Sequence, residues 1–227
     1  MSRCVVNVAT GPYVALQARL VASVRSSGWT GGVLLWSDAW PPGSPSHEEV
    51  PYGFKIHAIR EAGRRGFESV LWLDSPCLVQ RPLAPLFERV EADGHLLVTS
   101  REKLGNWIGD AALAAYGLSR DAAMELPLLH GSCFGLRLKD PKASAWLDAL
   151  EQGAREGRLN GPYFTEHAPE DVRRRKPRAS VAPASADPRC WGHRHDEAIG
   201  SLLAPRFGLT VAAAPELFGP AGVVRIA

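Results

Sequence analysis

Three short apolar runs, at residues 4–9, 33–36 and 69–73, are separated by stretches whose apolar residues recur at helical spacing. Such runs predict buried strands, and their alternation with helices predicts a mostly parallel sheet that is covered by helices. We therefore expect an α/β fold of the Rossmann-like type, in a single domain that spans residues 1–227.

The first of the expected helices follows the turn at Thr10, Gly11 and Tyr13. It carries Leu20 and Val24 on one face, and the glycine at position 28 is placed to end it. The turn comes directly after the first strand, so it lies where a ligand can reach it.

The second helix is expected from about Lys55. Its spacing places Ile56 and Ile59 on the inner face, and Lys55, Arg60 and Arg64 on the outer face. This helix leads the chain into the third strand.

The third strand ends in a carboxylate. Residues 69–73 run directly into Asp74, and the following Ser75-Pro76 pair stops the strand. Ligands of open α/β sheets bind beyond the carboxyl ends of the strands, which makes Asp74 a candidate site residue. An aspartate before Ser-Pro is also ordinary turn chemistry, so the pattern alone gives both interpretations similar weight.

The second half of the chain continues the alternation. Asp140 and Pro141 are suited to the N-cap and the first turn of a helix. The two last strands are expected at the margin of the sheet. The patterns predict helices at residues 82–91 and 142–155, and a helix or part of one at residues 106–115. They predict strands at residues 95–99, 209–213 and 223–226.

A basic, irregular segment covers about residues 157–190. Its cations are suited to an anionic acceptor or a phosphate, although a solvated basic loop is the commoner role for such a run. These cations are Arg173, Arg174, Arg175, Lys176 and Arg178.

Four polar residues cluster where a late helix begins, namely His193, His195, Asp196 and Glu197. The amino end of a helix favours an anion such as a diphosphate. Cys190 with the two histidines suggests a zinc site as a rival, but the fourth ligand that zinc usually takes is missing from the pattern.

The composition is ordinary for a globular protein, with 45% hydrophobic residues, 22% charged residues and a formal net charge of +2. No nucleic-acid module, membrane span or signal peptide is expected, and four scattered cysteines predict reduced thiols. We expect a cytoplasmic protein. Neither a G-x-G-x-x-G fingerprint nor a P-loop is present, which argues against a dehydrogenase or an NTPase.

The order of the motifs resembles that of GT-A-fold glycosyltransferases over about residues 5–209. The likeness is to small bacterial and viral nucleotide-sugar transferases and, more distantly, to glycogenin-like enzymes. It rests on T-G-x-Y, P-Y-G-F-K, L-W-L-D followed by R-P-L, G-N-W-x-x-D, H-G-S-C-F-G-L and H-x-x-D-E, in that order.

The resemblance implies a role for each candidate residue. Asp196 is the first candidate for a general base and Glu197 the second. The residues expected to bind the nucleotide are Thr10, Gly11, Tyr13, Lys55 and Asp74. Those expected to contact the donor sugar or the diphosphate are Asn106, Trp107, Asp110, Gly131, Ser132, His193 and His195.

The resemblance also implies a metal. In the family, a D-x-D motif holds Mn²⁺ or Mg²⁺ against the donor diphosphate. Here the corresponding residues are Asp74-Ser75-Pro76, so the second acid is absent. Asp74 is then expected either to bind the cation alone, with help from the diphosphate, or to bind a ribose hydroxyl.

We therefore expect a glycosyltransferase that moves a sugar from a UDP- or GDP-type donor to the hydroxyl of a glycan or another acceptor. The incomplete D-x-D motif motivates a second hypothesis, a non-catalytic protein that binds sugar nucleotides. A third, a sugar-phosphate nucleotidyltransferase, is disfavoured because the first strand is not followed by a glycine-rich loop that bears Arg or Lys.

Overall fold

The apolar runs form the strands of a six-stranded sheet in the computed structural model, which describes residues 1–174, 176–177 and 179–226. The strands are β1 (Arg3–Ala9), β2 (Gly32–Ser37), β3 (Ser69–Leu73), β4 (Cys77–Val79), β5 (His95–Lys103), β6 (Pro127–Arg137), β7 (Val211–Ala212) and β8 (Val224–Ile226). The helices are α1 (Tyr13–Ser26), α2 (Phe54–Arg64), α3 (Ala84–Asp93), α4 (Asp110–Ala115), α5 (Arg120–Met124), α6 (Pro141–Arg155), α7 (Glu170–Arg173) and α8 (His195–Leu203).

The main sheet has the strand order β2-β1-β3-β6-β5-β7. β1 is parallel to both of its neighbours, β5 is parallel to β7, and only β6 is antiparallel to the strands beside it. The expected α/β fold with a mostly parallel sheet and flanking helices is confirmed. Because β6 is reversed, its first half lies beside the carboxyl ends of β3 and β5, with Cys133 opposite Leu73.

The central strand β3 is buried along its whole length. Its alternate side chains enter two separate cores, since Val70 and Trp72 pack on one face of the sheet and Leu71 and Leu73 on the other. A strand that is covered on both faces has no polar positions, which explains the unbroken apolar run.

The predicted ends of several helices are confirmed. Gly28 follows α1 with a φ of +81°, a conformation that a glycine adopts without steric cost. The Asp140 side chain accepts hydrogen bonds of 2.9 Å from the backbone N–H groups of Lys142 and Ala143, and thereby caps α6. All four cysteines are buried and free.

Only part of the stretch at residues 106–115 is an α-helix. A 3₁₀ turn covers Leu104–Asn106, an irregular stretch follows, and α4 begins only at Asp110. The reason is the buried Arg120 guanidinium, which donates to the carbonyls of Gly105 and Ile108 and so stabilises an irregular backbone there.

The last predicted strand also lies elsewhere than expected. β7 is at the margin of the main sheet, as predicted, but β8 pairs with β4 in a separate two-stranded sheet. This pairing brings Ile226 beside the stretch that follows Asp74. Within the described residues, no helix has the length and apolar character that crossing a bilayer requires.

Candidate active site

A cavity of about 620 Å³ opens at the sheet edge where β1, β3 and β5 end. Its volume is in the range of small-molecule sites. Residues from both halves of the chain line it, among them Thr10, Tyr13, Tyr52, Lys55, Trp72, Asp74, Pro76, Ser132, Tyr163, Lys176, Arg194, His195, Asp196 and Glu197.

Asp74 lies at the floor of this cavity, one residue beyond β3. Its Oδ1 accepts a hydrogen bond of 2.7 Å from the indole N–H of Trp72, and its Oδ2 accepts one of 2.8 Å from the Ser132 hydroxyl. Trp72 lies two residues before Asp74, so the extended chain directs both side chains to the same face. The carboxylate is therefore held by the sheet and directed into the cavity, and its side chain does not serve as a turn cap.

Lys55 is buried, which corrects the expectation that it faces solvent. Only 3% of the residue is exposed, because it shares the inner face of α2 with Ile59 and Ala62. Its Nζ lies 2.9 Å from Asp196 Oδ2 and 3.4 Å from Asp74 Oδ1, and it donates a hydrogen bond of 2.9 Å to the Gly131 carbonyl. Burial alone would lower the pKa of Lys55, but the two carboxylates outweigh burial and leave this pKa raised.

Asp196 lies in the first turn of α8, behind the Lys55 ammonium and only 5% exposed. Burial raises the pKa of this carboxyl to about 7, Lys55 opposes the rise, and the negative charges of Glu197 and Asp74 add to it. The position of the N-cap is taken by Arg194, so Asp196 does not cap the helix. Its ionisation is thus poised near neutral pH.

Glu197 bridges α8 and β6. Its Oε1 accepts a hydrogen bond of 2.9 Å from the Gly131 N–H, and its Oε2 lies 3.4 Å from the Arg194 guanidinium. Gly131 leaves room for this contact, since a Cβ at that position would lie 2.8 Å from Glu197 Cγ and 3.2 Å from Asp196 Oδ2. The backbone of β6 therefore positions both acids.

The two histidines of the cluster are both buried. Burial lowers the pKa of His193 and of His195 to about 4, so both rings are neutral at neutral pH. His195 lines the cavity and its Nδ1 lies 2.9 Å from the Leu159 carbonyl. His193 lies behind the cavity, where its Nδ1 accepts a hydrogen bond from the Gly109 N–H.

The turn after β1 forms one side of the cavity through Thr10 and Tyr13. Gly11 has a φ of +55°, and its N–H donates a hydrogen bond of 2.7 Å to the Asp38 carboxylate beyond β2. This bond fixes the turn, and Tyr13, which is 53% exposed, offers an open ring face there.

Aromatic rings line another part of the cavity, and the sequence patterns did not predict most of them. The ring centroids of Tyr52 and His195 lie 5.4 Å apart, and those of Tyr163 and His195 lie 6.1 Å apart. Tyr52 and His195 have φ values of 61° and 45°, which are strained for residues other than glycine. Such strain concentrates at functional sites, so these values indicate that this side of the cavity is shaped for a ligand.

Three predicted sugar contacts lie outside the cavity lining. Trp107 is fully buried, with the Arg194 guanidinium 3.9 Å from its ring centroid. The Asn106 amide donates to the Arg189 carbonyl, and Asp110 pairs with Arg120 at 2.6 Å. Trp107 nevertheless supports the site indirectly, because it positions the Arg194 that pairs with Glu197.

Of the cations of the basic segment, one described residue lines the cavity. Lys176 lies in the lining, with its Nζ 4.3 Å from the centre of the Tyr163 ring. Arg175 and Arg178 lie outside the described residues.

The surroundings of Asp74 do not fit a divalent cation. A cation such as Mn²⁺ or Mg²⁺ needs several oxygen ligands, whereas Trp72 and Ser132 donate hydrogen bonds to the carboxylate and the Lys55 ammonium lies 3.4 Å from it. Among the described residues, no group of three or more His, Cys, Asp or Glu side chains is arranged to hold a metal ion, and this includes Cys190 with the two histidines.

Comparisons with known proteins give structural neighbours only. No family model and no curated protein matches the chain. Among solved structures, a glycosyltransferase involved in glycosylation of the major capsid of PBCV-1 has 14% identity and a TM-score of 0.41 over 70% of this chain and 69% of that one. The galactosyltransferase LgtC, in complex with donor and acceptor sugar analogues, has 13% identity and a TM-score of 0.49 over 95% and 74% of the two chains.

A third neighbour is GlyE of Streptococcus pneumoniae TIGR4, with 12% identity and a TM-score of 0.46 over 96% of this chain and 46% of that one. All three are glycosyltransferases. Identities of 12–14% and TM-scores below 0.5 do not carry their activities over to this chain.

Proposed function

We propose that this protein is a glycosyltransferase that moves a sugar from a nucleoside-diphosphate sugar to an acceptor hydroxyl. The observation that carries the proposal is the convergence of Asp74, Lys55 and Asp196 in one cavity at the carboxyl edge of the sheet. Such an edge is the usual place for a nucleotide in an open α/β sheet.

The two sides of the cavity suit the two parts of a sugar nucleotide. On one side, Tyr13 offers a ring on which a base can stack, and Asp74 is available to a ribose hydroxyl. On the other side, Tyr52 and Tyr163 present aromatic surface that suits the apolar face of a sugar ring. Asp196 and Glu197 of α8 line the same cavity. This arrangement favours a donor of the UDP or GDP type.

Asp196 is proposed as the general base that accepts the proton of the acceptor hydroxyl. A base works best when its pKa lies near the working pH, and burial brings the pKa of Asp196 to about 7. Glu197 is the second candidate, although its carboxylate is held by Gly131 and Arg194. A route through a base on the acceptor side inverts the configuration of the transferred sugar.

Binding and turnover test the proposal separately. A panel of UDP- and GDP-sugars is incubated with the protein, with and without simple sugar acceptors, and release of the nucleoside diphosphate is measured. We expect at least one donor to be turned over. Binding without turnover with any acceptor would favour the non-catalytic sugar-nucleotide-binding protein instead.

The variant Asp74→Ala provides the matched test of the site. We expect it to lose nucleotide-dependent turnover while its thermal unfolding stays close to that of the wild type, because Asp74 lies beyond the strand. A variant that unfolds early but retains normal activity in its folded fraction would show that Asp74 serves the fold and not the site.

A further inference from the structure

The end of β3 carries one acid, whereas a D-x-D cation site has two. The stretch after the strand is Asp74-Ser75-Pro76, and Pro76 lines the cavity at the place of the second carboxylate. A proline side chain has no oxygen that can coordinate a metal ion. The missing ligand is therefore not supplied at the adjacent position.

The groups around Asp74 are proton donors. Each oxygen of the carboxylate accepts one hydrogen bond, from Trp72 Nε1 at 2.7 Å and from Ser132 Oγ at 2.8 Å. A divalent cation at Asp74 would have to share the carboxylate with these donors and to lie close to the Lys55 ammonium. Repulsion between a dication and a buried ammonium is stronger in a partly buried site than in bulk water.

Lys55 already places a positive charge at this point. Its ammonium is nine-tenths or more buried, held at 2.9 Å from Asp196 Oδ2 and at 2.9 Å from the Gly131 carbonyl. Its third contact, to Asp74 Oδ1, is longer at 3.4 Å and lies beyond the usual range of an N–H···O hydrogen bond. One N–H of the ammonium is therefore held only weakly by Asp74 and can donate a hydrogen bond to an oxygen of an incoming phosphate.

We propose that the Lys55 ammonium supplies the positive charge that faces the donor diphosphate, and that nucleotide binding and transfer proceed without a divalent cation. The inference rests on the proposed glycosyltransferase function and specifies which group of the protein faces the charge of the donor diphosphate. During transfer, the bond between the anomeric carbon and the diphosphate oxygen breaks, the acceptor oxygen forms the new bond, and the acceptor proton passes to Asp196. The electron pair of the broken bond stays on the diphosphate, whose added charge Lys55 stabilises.

The first experiment measures binding of UDP and GDP to the wild-type protein by calorimetry, in EDTA and in Mn²⁺. We expect dissociation constants that agree within about threefold in the two conditions. The electron paramagnetic resonance spectrum of Mn²⁺ mixed with protein and nucleotide should stay that of Mn²⁺ with nucleotide alone. Binding that is lost in EDTA and tightened about tenfold or more by Mn²⁺ would overturn the inference.

Pro76→Asp is the matched control, because it restores the second acid of D-x-D. With this variant we expect Mn²⁺ to tighten nucleotide binding by about tenfold or more and to change the resonance spectrum. If the variant and the wild type respond equally strongly to Mn²⁺, the missing acid is not what decides metal use, and the inference fails.

Lys55→Met and Lys55→Arg test the ammonium itself. We expect the Met variant to bind the nucleotide at least about tenfold more weakly in EDTA, and the Arg variant to retain part of the affinity. Circular dichroism shows whether each variant is folded, and if the Met variant is not, the EDTA comparison of the wild type decides. If neither nucleotide nor any sugar nucleotide binds in either condition, the proposed function fails, which is a different result from metal-dependent binding.

Discussion

Asp196 owes its properties to neighbours that are far from it in the sequence. Lys55 comes from α2, Asp74 follows β3, and Gly131 belongs to β6. Burial raises the pKa of the Asp196 carboxyl, and the Lys55 ammonium, 2.9 Å away, limits the rise to about 7. At the scale of single residues, the chemistry of the cavity is therefore set by this pair.

Asp196→Asn removes the proposed base and keeps its size. We expect turnover to fall by roughly 10²–10⁴-fold while nucleotide binding is retained, because an amide cannot accept the acceptor proton. Nucleotide release under saturating donor measures the effect. Unchanged turnover would remove Asp196 from the mechanism and direct attention to Glu197.

The same residue predicts the pH dependence of activity. Because the base must be ionised and the pKa of Asp196 is raised to about 7, kcat/KM should rise with pH and level off above about pH 7. The rise should be absent from the residual activity of Asp196→Asn. A wild-type profile that is flat across neutral pH would contradict the assignment.

At the scale of elements, the reversed strand β6 joins the two halves of the site. Its Gly131 offers the carbonyl to Lys55 and the N–H to Glu197, and the absence of a side chain lets α8 approach. The bond from Ser132 to Asp74 comes from the next residue of the same strand. β6 therefore sets the distance between the α8 acids and the end of β3.

Gly131→Ala should disturb this distance. The added methyl group would lie 2.8 Å from Glu197 Cγ, so α8 or the glutamate side chain has to move. We expect turnover to fall by about tenfold or more, with nucleotide binding at the Thr10 side less affected. Gly157→Ala is the control, because a Cβ there would meet only Asn160 Nδ2, at 3.8 Å. Since Gly157 has a φ of +72°, this variant should cost stability and not turnover.

The elements show what a sequence can and cannot predict. The bounds of β3 and the cap of α6 follow from local rules, an unbroken apolar run and an aspartate before proline. The burial of Lys55 does not, because a lysine at the start of a helix is normally solvated and its partners lie elsewhere in the chain. The hydrogen bond from Trp72 to Asp74 is also hard to predict, because Trp72 belongs to an apolar run and resembles a core residue. Its spacing of two from Asp74 nevertheless indicates that the two side chains share a face of the strand.

At the scale of the whole molecule, the buried ionisable groups have opposite effects on the free energy of unfolding as the pH falls. The pKa of Asp196 is raised from 3.8 to about 7, so this group contributes stability at low pH that is lost as the pH rises to about 7. The pKa values of His193 and His195 are lowered from 6.5 to about 4, so their contribution is present above pH 6.5 and is lost as the pH falls to about 4.

Asp196→Asn should therefore make the protein more sensitive to acid. Without the proton that folded Asp196 takes up, the free energy of unfolding should fall more steeply between neutral pH and about pH 5, by up to about 1.4 kcal/mol per pH unit relative to the wild type. Urea unfolding at several pH values measures both slopes. Equal slopes would mean that Asp196 does not hold its proton in the folded state.

The contact of Lys55 with both aspartates also bears on how the chain assembles. During synthesis, Lys55 and Asp74 emerge together, whereas β6 and Asp196 follow much later. Contacts between distant segments form slowly, because the chain between them must first be closed into a loop. Refolded protein should therefore regain its secondary structure before it regains sugar-nucleotide turnover. In a chain that ends before β6, Lys55 would lack the Asp196 carboxylate, which is one of its two partners.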